Sequence, residues 1–382
     1  MTHTGVVMLV NEFSPLPVGG AERQAERLSA WLAARGKRIW VLTRGAPGLP
    51  AREERDGFTI LRVPPRGPGK VRSLTFVLGS LWTLFLHRTD YSILHAHLAF
   101  GPAFAAVIAA RVLNKRVIVK LGNSGEFGDI RASQRTLRGR VRMAAARRWA
   151  DVVIALDDAM EQEALAAGFD RSRLRRMNNG IDIDAFTPRQ SRTDAKGALG
   201  LGGKVVILFA GRLSEQKSLP TLLSSFSRAI QKSPTLYLLL VGDGPARPAL
   251  VEQACTLCIS ESVMFAGSQR DVRPYFEAAD VFALPSVAEG ISNALLEAMS
   301  FGVACAATPV GGNTEVLDGG NCGLLVPAGD ESAWAEALAG LGNDSARRER
   351  LGAAGRQRVR ERYDFSVVGQ QYEKLYAALE QG

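Results

Sequence analysis

The richest stretch for chemistry is Pro285–Met299, where Glu289 and Glu297 stand with seven residues between them. An apolar run, Val281–Leu284, precedes it and an apolar-periodic run, Asn293–Ser300, ends it. The first carboxylate therefore belongs to a loop after a strand, and the second lies about one turn into a helix. Between them the amides of Gly290, Ile291, Ser292 and Asn293 form the helix start, which cradles an anion and has a hydroxyl acceptor on either side. Glu297 sits among Leu295, Leu296 and Met299, too apolar a setting for an ordinary surface charge. Arg212 and Lys217 follow another apolar run, Val205–Ala210, and two cations at the carboxyl end of a strand are placed to grip a diphosphate. Gly242, in Val241–Pro245, ends a third such run and offers bare backbone to a flat base or sugar. Gly19 and Gly20, ahead of Ala21-Glu22, do the same between a strand and a helix. Each of these loops also has a plain reading as a turn or a solvated surface.

These residues need a frame of alternating strands and helices, and the 382 residues provide one. Strands are expected at Val6–Val10, Ile39–Thr43, Thr59–Val63, Ile93–Ala96, Arg116–Leu121, Val152–Ala155 and Leu174–Met177. In the second half they are expected at Val205–Ala210, Leu236–Val241, Val263–Ala266, Val281–Leu284 and Val303–Ala306, with helices between. Such alternation predicts two doubly wound parallel sheets. Asn178–Lys204 reads as the linker, and Ser366–Leu379 as a last amphipathic helix. Hydrophobic residues make up 46% and charged residues 22%, which excludes global disorder. Four cysteines cannot build a disulfide scaffold, so a reducing cytosol is the expected setting; the C-x-x-C pair Cys255 and Cys258 reads as buried thiols. No signal peptide is expected ahead of the first strand, and the longest apolar stretch, Leu74–Leu86, is shorter than the roughly 18 residues a bilayer span needs.

Charge is uneven. Residues 1–188 carry 28 Lys and Arg against 17 Asp and Glu, a balance of +11, while 189–382 carry 19 against 21, a balance of −2. Seven arginines fall between Arg131 and Arg148 with no acid among them. A face of this kind attracts phosphates of nucleic acid, lipid or substrate.

Taken together and in order, the Glu289/Glu297 segment, Gly211-Arg212-Leu213 with Lys217, Val241-Gly242-Asp243-Gly244-Pro245, Asn179-Gly180-Ile181-Asp182 and Gly311-Gly312-Asn313-Thr314-Glu315 resemble the retaining family 4 glycosyltransferases. The resemblance implies the α/β GT-B fold, two Rossmann-like domains facing a central cleft. It places an acceptor-binding domain over 1–186, a nucleotide-sugar-binding domain over 187–362, and a C-terminal helix over 363–382 packing back on the first. By position, Arg212 and Lys217 would neutralise the diphosphate and Glu289 would hold the transferred sugar. Glu297 would bind the ribose, and Gly20, Gly242 and the amides of Gly290–Asn293 would add to the donor site. Charge developing on the leaving diphosphate is met by such fixed cations and N–H groups without a metal. The donor is thus a co-substrate, a UDP-sugar first and a GDP-sugar second, with no cofactor.

The chain departs from the family at Gly122, where members often carry a histidine. Asn123 and Ser124 are the candidate replacements, and Lys120 adds a cation near phosphate or acceptor. Gly19 and His97 complete the candidates on the acceptor or sugar side; His95 and His97 either face the cleft or are satisfied core residues. Two other readings compete with transfer: a GT-B-like sugar-nucleotide epimerase, and a non-catalytic basic protein that binds nucleic acid or membrane. The second leaves Arg212, Lys217 and both glutamates without a purpose, so no nucleic acid partner is expected. Leu74–Leu86, flanked by Arg66, Lys70, Arg72 and Arg88, is apolar nearly all round. That pattern fits a peripheral, salt-sensitive anchor on an anionic cytoplasmic leaflet, presenting the site to a lipid-linked acceptor.

Overall fold

The computed structural model describes residues 5–16, 19–125 and 127–381. The chain forms two compact units: the chain up to Gly180 together with Phe365 onward, and Ile181–Asp364. The first contains β1 (Gly5–Leu9), α1 (Gly20–Ala33), β2 (Ile39–Arg44), β3 (Arg52–Arg55), β4 (Phe58–Val63), α2 (Gly69–Leu86), β5 (Tyr91–His97) and α3 (Gly101–Leu113). It continues through β6 (Arg116–Lys120), α4 (Asp129–Gln134), α5 (Leu137–Trp149), β7 (Val152–Ala155), α6 (Asp158–Ala166) and β8 (Leu174–Arg176). Among the described residues the strands make an eight-stranded sheet in the order β3-β4-β2-β1-β5-β6-β7-β8. Every pair is parallel except β3–β4.

Parallel strands covered on both faces need apolar runs, and β1, β2 and β7 supply them. The antiparallel strand β3 was not expected, since Arg-Glu-Glu-Arg has no apolar alternation. Pairing with β4 and ion pairs from Glu53 to Arg55 at 2.5 Å and Arg62 at 2.7 Å hold it. Charges on an edge strand also discourage further pairing.

In the second unit α7 (Arg192–Ala198), β9 (Val205–Ala210), α8 (Leu219–Lys232), β10 (Leu236–Val241), α9 (Arg247–Thr256), β11 (Val263–Gly267), α10 (Arg273–Ala278) and β12 (Val281–Leu284) follow in turn. After them come α11 (Asn293–Ser300), β13 (Ala304–Ala307), α12 (Asn313–Val316), β14 (Leu324–Leu325), α13 (Glu331–Asn343) and α14 (Ser345–Arg362). The described strands form a sheet in the order β11-β10-β9-β12-β13-β14. The helix α8 buries Leu219, Leu222, Leu223, Phe226 and Ala229 along one stripe, each large side chain contributing about 2 kcal/mol of transfer free energy. The strand order reverses at β10-β9-β12, the place where open sheets bind ligands.

The final helix, α15 (Phe365–Gln381), belongs to the first unit. Its Phe365, Val368, Tyr372 and Tyr376 join the core of Val6, Met8, Leu28, Leu32 and Ile93. Gly369 lets it lie against α1, because a Cβ there would stand 2.7 Å from the Trp31 ring. The unit boundaries differ from 186/187 and 362/363: Ile181 N–H donates to Tyr363 O at 2.8 Å and Ile183 N–H to Asp364 at 3.3 Å, tying residues from 181 onward to the second unit. Asn178–Lys204 is not a bare linker either, since it contains α7, capped by Ser191 and packed on α10. Cys255 and Cys258 are exposed rather than buried, because they fall on the outer side of α9 and the turn after it; Cys305 and Cys322 are buried.

Candidate active site

The loops after β9 and β12 are neighbours in the second unit because those strands are paired at the reversal of strand order. Two hydrogen bonds from Gln216 stitch them: its carbonyl accepts from Val287 N–H at 2.9 Å and its side-chain amide donates to Ala288 O at 2.7 Å. Lys217 closes the short turn Glu215–Lys217, and its ammonium reaches Glu289 Oε1 at 2.5 Å. The same oxygen accepts from Ser286 Oγ at 2.6 Å. Glu289 is 5% exposed, so the ion pair is screened far less by solvent than a surface pair.

Gly290, Ile291 and Ser292 are buried and lead into α11, where Ser292 Oγ accepts from Leu295 N–H. Glu297 lies one turn into that helix and is 2% exposed. The structure therefore brings Lys217, Glu289 and the helix start together, while Arg212 is exposed in the loop after β9. Gly242 has φ 131°, and a Cβ there would fall 1.9 Å from Gly211 O. Only glycine lets the loop after β10 press on the loop after β9, where Leu213 N–H donates to Asp243 O and Ala246 N–H to Leu213 O, both at 3.0 Å.

In the first unit Gly19 and Gly20 are exposed at the start of α1. Glu22, in its first turn, is buried, and burial pushes its carboxyl up from the usual range. His97 and Lys120 lie at the ends of β5 and β6, and both are buried. Lys120 Nζ donates to Tyr372 OH at 2.9 Å, His95 Nδ1 bonds Tyr376 OH at 2.8 Å, and the two imidazoles stack at 4.4 Å. Burial brings Lys120 down to about 7 and depresses both histidines well below 6.5, with the Lys120 charge adding to each. Lys120 thus meets α15, while His97 packs against His95.

Gly122 has no room for the family histidine as the loop stands: a Cβ there would fall 2.2 Å from Leu98 Cδ2. Asp129, which the sequence reading passed over, gathers this region. Its Oδ2 accepts from Ala99 N–H at 3.0 Å and Gly122 N–H at 3.1 Å, while burial raises its carboxyl to about 6. An aspartate at the first position of α4 was the available signal. Ser286 was passed over as well, although it stands three residues before Glu289.

Two open-sheet units, each with its loops at the strand ends, define the GT-B class of architecture. The description "Glycosyltransferase Family 4" matches residues 18–185, and "Glycosyl transferases group 1" matches residues 204–344. The chain belongs to this family of glycosyltransferases. It is 30% identical over 375 residues to phosphatidyl-myo-inositol mannosyltransferase of Mycobacterium leprae, covering 94% of this chain and 92% of that one. It is 26% identical over 372 residues to N-acetyl-alpha-D-glucosaminyl L-malate synthase of Bacillus anthracis, covering 94% of each. Among solved structures, HepE of Anabaena in complex with UDP and glucose superposes with a TM-score of 0.84 at 21% identity, covering 98% of this chain and 100% of that one.

Proposed function

We propose that the chain is a retaining, metal-independent glycosyltransferase that moves a hexosyl group from a nucleotide-diphosphate sugar, a UDP-sugar first, to a saccharide or lipid-linked saccharide in cell-surface polysaccharide or glycolipid assembly. The observation that carries this reading is the Lys217–Glu289 pair set beside the start of α11 at the reversal of strand order. Breaking the C1–O bond to the diphosphate leaves negative charge on the phosphate. Lys217, Arg212 and the helix-start amides meet that charge where it develops, and such donors are worth roughly 3 kcal/mol each. In the retaining mode the acceptor hydroxyl gives its proton to the departing phosphate oxygen as its own oxygen bonds C1, so no protein base is required. Glu289 holds the sugar hydroxyls, and Glu297 holds the ribose. Gly242 serves the donor side by letting the loop after β10 press on the Arg212 loop, Gly20 offers bare backbone to the donor, and Gly19, Asn123 and Ser124 belong to the acceptor or sugar side. Supporting the donor class, the HepE structure named above holds UDP and glucose. Supporting a lipid acceptor, the M. leprae relative is named for phosphatidyl-myo-inositol.

A membrane surface belongs to the same reading. No helix among the described residues is long and apolar enough to cross a membrane. Yet α2 buries Phe76, Val77, Ser80 and Leu84 while exposing Val71, Leu74, Leu78, Trp82, Phe85 and Leu86, with Trp82 stacked on Phe85. Exposed Arg66, Lys70, Arg72 and Arg88 flank that stripe, and basic residues near an anionic leaflet add about 1 kcal/mol each. Flotation should carry the protein with anionic vesicles at low salt and release it at high salt; equal, negligible flotation with anionic and neutral vesicles removes the membrane.

Thermal unfolding with UDP-glucose, GDP-mannose and ADP-glucose tests the donor, since a ligand of the native state raises apparent stability. UDP-glucose should raise the midpoint, and Glu297→Ala should abolish the rise. No shift with any of the three overturns the reading; nucleotide released only when an acceptor is present marks transfer, whereas conversion of the nucleotide sugar into its epimer with no nucleotide released points to an epimerase instead.

A further inference from the structure

Glu289 Oε1 has two donors of different kinds. Lys217 carries three N–H bonds on a flexible stem and, under the function proposed above, must also serve the diphosphate. Ser286 is fully buried, and its own carbonyl is held by Thr308 Oγ1 at 2.6 Å. Thr308 in turn is fixed by Asn313, whose side-chain amide donates to Thr308 O at 3.1 Å; both are fully buried. The same loop after β13 presses on the glutamate's backbone. Gly312 N–H donates to Gly290 O at 2.9 Å, and a Cβ on Gly311, at φ 54°, would fall 2.1 Å from Glu289 O.

We infer that Ser286, backed by Thr308 and Asn313, is the positioning residue of Glu289: it keeps the carboxylate in place while Lys217 turns toward the diphosphate. This rests on the reading of Glu289 as the sugar-holding group. Ser286 is fully buried and its hydroxyl is spent on Glu289 Oε1 at 2.6 Å, so its effect passes through Glu289. The loop after β13, two strands from β9 in the sheet, thereby becomes part of the apparatus that aims the carboxylate.

Kinetics of Ser286→Ala, Glu289→Ala and the double variant, measured with the nucleotide sugar that stabilises the protein in the panel above, test this. A hydrogen bond to a charged group leads us to expect kcat about 10-fold lower in Ser286→Ala, with the donor KM within about twofold. In the Glu289→Ala background the same change should alter kcat by less than about twofold, since two residues acting through one contact are not additive. Thr308→Val, which loosens the support one bond further back, should give a smaller loss with the same KM-against-kcat split. A ligand-free crystal structure of Ser286→Ala should show the Glu289 carboxylate moved from its place. Wild-type kcat in Ser286→Ala, or a loss that persists in full when Glu289 is already Ala, overturns the inference. If Glu289→Ala alone keeps wild-type turnover, the reading of Glu289 itself falls.

Discussion

Each unit holds a buried or half-buried lysine at or beyond a strand end, Lys120 closing β6 and Lys217 in the turn after β9, and the two keep opposite company. In the second unit Lys217, its side chain 17% exposed, faces the Glu289 carboxylate at 2.5 Å. In the first unit Lys120, 5% exposed, meets the Tyr372 hydroxyl, while His95 and His97 stack nearby. Burial drives that whole group toward neutrality: Lys120 falls to about 7, the histidines fall further below 6.5, and the hydroxyls of Tyr372 and Tyr376 are pushed upward. Like architecture thus serves two ends. One strand-end cluster brings opposite charges to a loop surface, where a polyanion can compete for the cation. The other assembles neutral polar groups that pin α15, a helix from the far end of the chain, onto β5 and β6.

The largest effect should come from breaking the charged cluster. Replacing both Arg212 and Lys217 with Ala should lower kcat by more than 100-fold, by analogy with single preorganised donors worth about 10²–10³ each. Steady-state kinetics with the stabilising nucleotide sugar measures it, and turnover within tenfold of wild type breaks the comparison. Next in size is a split between the two carboxylates. Glu289→Ala should lower kcat by about 10- to 100-fold with little change in donor KM, whereas Glu297→Ala should chiefly raise KM. Equal effects of the two variants on KM would show that the carboxylates do not divide sugar and ribose between them.

The neutral cluster is sharpened through pH. The folded chain releases the Lys120 proton near 7, while an unfolded lysine holds it to about 10.4. Across that window the unfolded state binds more protons, so this group's contribution to stability rises with pH. Below 7 the cost of burying the ammonium is present in full. Lys120→Met removes the titration, so the stability of wild type relative to Lys120→Met should rise by about 2 kcal/mol between pH 7 and 9. Denaturant midpoints of the two proteins at both pH values give the difference and cancel the buried tyrosines common to both. A difference that stays flat with pH would mean that Lys120 is charged throughout, and the two lysines would no longer be opposites.

Much of this contrast is invisible in sequence, and the reasons are physical. Strands β9, β10 and β12 and the helix α11 match the apolar runs residue for residue, because burial on both faces or along one stripe writes itself into local periodicity. Strand β3 has no such signal, since cross-strand pairing and charge hold it. Nor does α7, whose sole buried residue is Ala195. Lys217 and Glu289 were both legible as candidates, but their contact depends on β9 and β12 being neighbours, which no local pattern specifies. Lys120 looks like a strand-end group until Tyr372 of α15 meets it, and His97 until it is found buried against His95. Ser286 is a serine in a loop, and its role emerges only from the carboxylate that it meets.

The smallest effect concerns Gly122, where the resemblance leads one to expect a histidine. A histidine there would have to displace Leu98, whose Cδ2 lies 2.2 Å from the position of the missing Cβ. Leu98 holds a left-handed backbone at φ 75°, and the loop beside it is tied down by Asp129 through Ala99 and Gly122. The obstructing atom is the end of a flexible side chain, so overpacking should cost about 1 kcal/mol, at the low end of the usual range. Gly122→His should therefore lower the melting midpoint by a few degrees, and Leu98→Ala added to it should recover most of that loss. Additive losses in the double variant would show that the backbone around Asp129, rather than the Leu98 side chain, excludes the histidine. Recovery would instead make Leu98 and Gly122 a matched pair, an apolar side chain filling the space that a side chain at position 122 would take.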